Sequence, residues 1–154
     1  MKIFEYVEEI LITIGLVVMT TLAFGNVLSR YLFHASWSFT EEITTSLFVW
    51  VTFLGASVAA KRKGHLGLSI ITDNLPPKGQ KVAVLFSVAT ATVVFGILLK
   101  YGLEMVITQY KMNQTSPAIG WPEWIYGTAI PVGAILMIVR FLELGYNELK
   151  GGQK

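Results

Sequence analysis

Residues 26–65 read NVLSRYLF, HASWSFTEE, ITTSLFVWVTFLGASVAA and KRKGH in succession. An apolar stretch ends at Asn26, Arg30 and Tyr31, and a short aromatic segment follows from Phe33 to Phe39. Glu41 and Glu42 then open a second apolar stretch, which closes on Lys61, Arg62 and Lys63. Charges fall at the ends of each stretch and none falls inside one. A charge in hydrocarbon is costly, and about 20 apolar residues in a helix cross a bilayer. The segment therefore predicts a transmembrane helical hairpin.

The pattern repeats outward. Charge-free runs cover Ile10–Ser29, Ile43–Ala60, Val82–Leu99 and Trp124–Val139. The last is short for a span, and Trp121, Trp124 and Tyr126 are placed to sit at the interface and extend it. The expectation is an all-α membrane protein with four transmembrane helices in two hairpins, at about 10–33, 42–61, 80–104 and 123–143. Residues 1–154 form one membrane domain on this reading. A composition of 53% hydrophobic and 14% charged residues, with a mean hydropathy of +0.59, is too apolar for an ordinary soluble domain. The chain has no cysteine, which excludes disulfides and thiol chemistry. A net charge of +2 without a basic surface offers nothing to nucleic acid.

Five Lys or Arg residues lie between Lys61 and Lys81, none between Tyr31 and Glu42, and two between Lys100 and Glu123. By the positive-inside bias the middle loop is cytoplasmic, so both termini are cytoplasmic and both hairpin tips periplasmic. Residues 1–11 place Ile3, Phe4, Val7, Ile10 and Leu11 on one helical face and Lys2, Glu5, Glu8 and Glu9 largely on the other. They form either a short interfacial helix or the wet foot of the first span. Their three glutamates argue against a cleaved signal peptide. Leu66, Leu68, Ile70 and Ile71 make a second interfacial segment in the middle loop. Pro131 lies inside the last apolar run and should kink it or loosen a turn.

Few residues carry chemistry. Ser38 and Glu41 have capping-box spacing, and both Glu41 and Glu42 suit a helix start. Arg30, a cation at a periplasmic end, should pair with Glu41 or Glu42, with Asn26 joining the cluster. His34 and His65 fall on opposite sides of the membrane and cannot share a metal or haem, so no cofactor is implied. His65 belongs with Lys61, Arg62 and Lys63 in a cytoplasmic basic cluster facing lipid headgroups. Small residues recur at helical spacing, as in Thr52, Ala56 and Ala60 beside Gly55. They serve packing among these helices or a groove for another protein's helices. Trp37 and Trp121, with Ser116 and Pro117, stand at the two tips, as interfacial anchors or as a docking surface.

Asn26, Arg30–Tyr31, Trp37, Glu41–Glu42, Phe48, Trp50, Gly55–Ala56 and the basic run ending in Gly64–His65 resemble the small, DctQ-type subunit of the tripartite ATP-independent periplasmic (TRAP) transporters. Ser116–Pro117–Ala118, Trp121–Pro122, Tyr126 and Pro131 match the last hairpin of that family. The resemblance implies a non-enzymatic subunit of the bacterial inner membrane. Its implied partners are a large multi-span subunit that moves substrate with sodium and a soluble periplasmic binding protein. Sialic acids and C4-dicarboxylates are among the implied substrates. The residues also leave room for an autonomous four-helix exporter acting as a dimer, although such a protein needs a titratable carboxylate buried within a helix.

The topology is directly measurable. Single cysteines replacing Ala35 and Asn113 should react with an impermeant thiol reagent supplied from the periplasm, and one replacing Gly67 only after the membrane is opened. The reverse labelling pattern would overturn the charge-based orientation.

Overall fold

The computed structural model describes residues 2–61 and 77–150. They form α1 (Lys2–Phe33), α2 (Ser38–Lys61), α3 (Pro77–Lys111), a short α4 (Glu123–Gly127) and α5 (Ala129–Leu149). Four stretches are long and apolar enough to cross a membrane: Tyr6–Phe33, Ser38–Ala60, Gly79–Lys111 and Glu123–Tyr146. Residues 2–11 continue into α1 without a break, so the foot of the first span and the span are one helix. The apolar segment Leu66–Ile71 and the basic residues Arg62, Lys63 and His65 lie outside the described residues.

Each tip turns through a residue in the left-handed region. α1 stops at Phe33, His34 has φ 53°, and the Ala35 N–H returns to the Ser29 carbonyl at 3.4 Å. Asn113 has φ 49° just past α3, a conformation that asparagine tolerates well. The second tip is tied by the Ser116 N–H on Trp121 O (2.8 Å) and the Glu123 N–H on Gln114 O (2.9 Å). The last span does loosen near its proline. Pro131 has no N–H to give to the Gly127 carbonyl, and the helix is interrupted at Thr128, between α4 and α5. The Thr128 hydroxyl meanwhile bonds the Ile125 carbonyl at 2.6 Å.

The four long helices stand in a row in the order α1, α2, α5, α3. Sequence neighbours pair antiparallel as two hairpins, with Gly15 beside Val51 in the first and Val88 beside Gly145 in the second. The hairpins meet along α2 and α5, which run parallel: Phe53 lies on Gly133 and Ser57 beside Arg140. No substantial packing joins α1 to α3, so the row does not close into a bundle. Its buried apolar residues are correspondingly few among those described: Ala60, Val88, Ala129, Ala134, Met137 and Phe141. Most of them belong to α5, the span with the largest buried share.

Close approach rests on missing side chains, as expected where apolar surface gains nothing by meeting apolar surface. A Cβ added at Gly15 would come within 2.7 Å of Val51, and one at Gly133 would strike the Phe53 ring. At Gly96 it would meet nothing within 4 Å. Gly133→Leu should therefore weaken the α2–α5 contact by about 1–3 kcal/mol, read as a lower melting temperature in detergent. Gly96→Leu should leave that temperature within error, and equal losses at both sites would refute this packing.

Candidate functional site

A charged, hydrogen-bonded cluster is buried near the end of the row that carries the N-terminus. Glu8 of α1, Ser57 of α2 and Arg140 of α5 are 2%, 0% and 8% exposed. Arg140 Nη2 donates to Glu8 Oε2 at 2.9 Å, and Arg140 Nε donates to Ser57 Oγ at 3.1 Å. The Ser57 hydroxyl donates in turn to Glu8 Oε1 at 2.9 Å. Arg140 Nη1 reaches Glu143 Oε2, one turn on, at 3.2 Å. Both oxygens of Glu8 are satisfied, and the guanidinium is engaged at all three nitrogens. Such a cluster holds because every member has a partner, and removing Glu8 or Arg140 strands the other's buried charge. The sequence puts Glu8 on a polar face, and Arg140 falls within the expected last span (123–143) just past the end of its charge-free run at Val139. The missed signal was Arg140 itself, a lone cation between Val139 and Phe141.

A second clamp joins the hairpins at the other end. Glu42 Oε1 accepts the Ala118 N–H at 2.7 Å and Oε2 the Ile119 N–H at 3.3 Å. Beside it opens a cleft of about 880 Å³ lined by Glu41, Glu42, Ser116, Glu123 and Tyr126 among others. Asn26 Oδ1 accepts the Trp37 N–H at 2.8 Å, and the Trp37 ring folds onto Gly25. The polar tip is thus built from Asn26, Trp37 and Glu42, but not around Arg30. Arg30 is exposed and makes no ion pair with Glu41 or Glu42 among the described residues. Register explains the separation. With Gly15 beside Val51, Glu42 falls roughly level with Phe24, about 9 Å short of Arg30 along the axis.

Other expected positions are scattered over the surface. Thr52 is exposed and its hydroxyl bonds back to Phe48 O at 2.7 Å. A Cβ at Gly55 would meet nothing within 4 Å, and Ala56 is half-buried. At the tips Trp121 is 57% and Trp37 40% exposed, Pro117 is exposed, and Ser116 is buried. Lys61 ends α2.

The buried cluster makes a quantitative prediction. Glu8→Leu or Arg140→Leu should each destabilise the chain by about 3–5 kcal/mol. The double variant Glu8→Leu with Arg140→Leu should lose less than either change suggests, because it strands no charge. Strictly additive losses, measured by unfolding in detergent, would disprove the coupling.

Comparison with known proteins identifies the family. The model of the family "Tripartite ATP-independent periplasmic transporters, DctQ component" matches residues 19–151. A putative TRAP transporter small permease protein of Haemophilus influenzae is 33% identical, the match covering 84% of this chain and 79% of that one. The ectoine TRAP transporter small permease protein TeaB of Halomonas elongata is 30% identical, over 88% of this chain and 70% of its own. The sialic acid TRAP transporter permease protein SiaT of Haemophilus influenzae is 29% identical over 99% of this chain, which there takes up only 24% of the length. Four membrane-length helices in two hairpins, matched to that family model over most of the chain, place this protein in the DctQ family: it is a small permease subunit of a TRAP transporter, a multi-pass protein of the bacterial inner membrane.

Proposed function

We propose that this chain is the non-transporting subunit of a sodium-coupled, binding-protein-dependent carrier of organic acids, of the sialic-acid or C4-dicarboxylate class. It scaffolds the large multi-span subunit and helps a periplasmic binding protein to dock. The observation that carries this reading is the open row of helices. A substrate path within one chain needs helices around it, and here α1 and α3 stand at opposite ends of a single layer. The buried carboxylate Glu8 is unsuited to ion or proton traffic, since Ser57 and Arg140 already occupy both its oxygens. Among the described residues, the autonomous exporter therefore lacks the free buried carboxylate it needs.

The docking and packing roles follow from exposure, and the role of the basic cluster from its sequence. Trp121, Trp37 and Pro117 stand at one end of the row, where an aromatic surface suits a soluble docking partner. The open Gly55, with Thr52 and Ala56 near it, suits close approach by a partner helix. The basic cluster of Lys61, Arg62, Lys63 and His65 suits anionic headgroups on the cytoplasmic side. SiaT supports the partnership, because a region like this chain is continuous there with a much longer permease.

Reconstitution tests the reading. In liposomes the chain alone should take up no labelled organic acid. With its large subunit, its binding protein and an inward sodium gradient, uptake should appear, and it should fail when any one is left out. Uptake or drug export by this chain alone would sink the proposal.

A further inference from the structure

The register of α3 places two charges where the other helices have none. Gly102 packs on α5, where an added Cβ would lie 3.0 Å from Ile130 and 3.3 Å from Pro131. Pro131 is at the middle of the charge-free run Trp124–Val139. Through Phe53 on Gly133 and Gly15 beside Val51, the same level falls inside the charge-free runs of α2 and α1. Lys100 and Glu104 lie two residues to either side of Gly102. They share a depth within the membrane with three apolar helices, although the sequence alone puts Lys100 at the end of its own run.

Their direction is as telling as their depth. Two residues turn a helix through about 200°, so both side chains point away from the α5 contact. Both are exposed, and neither forms an ion pair among the described residues. Lys100 Nζ rests 5.5 Å from the Tyr101 ring centre. Ionisable groups at this depth face protein or a water-filled cavity, because lipid offers no partner. A lysine alone can extend toward the interface, but the shorter glutamate one turn further on has less reach. The line runs on at alternating spacings of four and three through apolar Val93, Ile97 and Ile107 to a third charge, Lys111, all exposed like Lys100 and Glu104 themselves. That spacing is a helix-packing seam, and none of the described helices packs on it.

Resting on the scaffold reading above, we infer that this outward stripe of α3 is the seam for a transmembrane helix of the large permease subunit. That helix presents polar or oppositely charged groups to Lys100 and Glu104. Charge at membrane depth argues for protein rather than lipid. The large subunit rather than a second copy is indicated by SiaT, in which three-quarters of one continuous permease lies outside the region like this chain.

The test uses the chain co-expressed with the large subunit of its own transporter. A photo-crosslinking amino acid at Ile97 or Ile107 should join this chain to the large subunit in the membrane. Glu104→Lys should reduce the large subunit recovered with it at least tenfold. The same variant purified alone should keep its helical signal and melting temperature. Crosslinks to a second copy of this chain would overturn the inference. So would the absence of any protein crosslink together with undiminished recovery from Glu104→Lys. Either result, with normal recovery by the unaltered chain, leaves the scaffold reading standing. Failure of the unaltered chain to recover any large subunit removes both.

Discussion

One buried contact governs the arrangement of the helices: the Glu8–Arg140 pair, closed through Ser57. Two charges removed from water are tolerable only when each finds the other and the leftover hydrogen-bonding positions are filled. Here the partners sit on α1 and α5, on either side of α2, and the α2 hydroxyl completes the ring. The pair therefore fixes the order of three helices, their rotation and their axial register at once. A row of apolar helices lacks such specificity, since sliding one along another changes little in lipid. Glu42 adds the complementary restraint by holding the tip of the second hairpin through two backbone N–H groups. Ser57 and Glu42 are fifteen residues apart on α2 by their numbering, about 22 Å of helix, so the hairpins are fastened near both ends.

A layer held in this way has two broad faces and little interior. The few small residues that are sterically required, such as Gly15 and Gly133, lie in the contacts between neighbouring helices. Gly55 and Gly96 have open space instead. The small-residue pattern of the sequence thus divides into positions used within the chain and positions free to meet something outside it. A wall of helices with unspent surface on both faces suits a protein that shapes and supports a larger carrier. It does not suit one that surrounds a substrate. The longest helix sharpens the point: α3 has 35 residues, about 52 Å, well beyond the hydrocarbon thickness. Its charged outward stripe lies level with the apolar middles of its neighbours.

Much of the molecule was legible in the sequence for local reasons. Charge-free runs bounded by ionisable residues mark helices in a membrane whatever their neighbours, and all four appear. Pro131 loosens its helix because it lacks one N–H, a property of the residue alone. The tip motifs that carry the family resemblance also do local work, since Asn26 and Trp37 hold the first turn together.

The rest needed the tertiary structure, and the reason is relative register. Arg30 and the glutamates looked like partners because a hairpin brings its ends together, yet the pitch of the helix leaves Glu42 about two turns short. The contacts actually made are long-range. Glu42 meets residues 76 and 77 positions away, and Glu8 meets one 132 positions away. Which helices are neighbours in the row, and at what depth they meet, depends on packing between hairpins that no local periodicity encodes. By itself the sequence determined what crosses the membrane and which family the chain resembles. Only the folded arrangement decided which charges are paired and buried, and which are left facing outward.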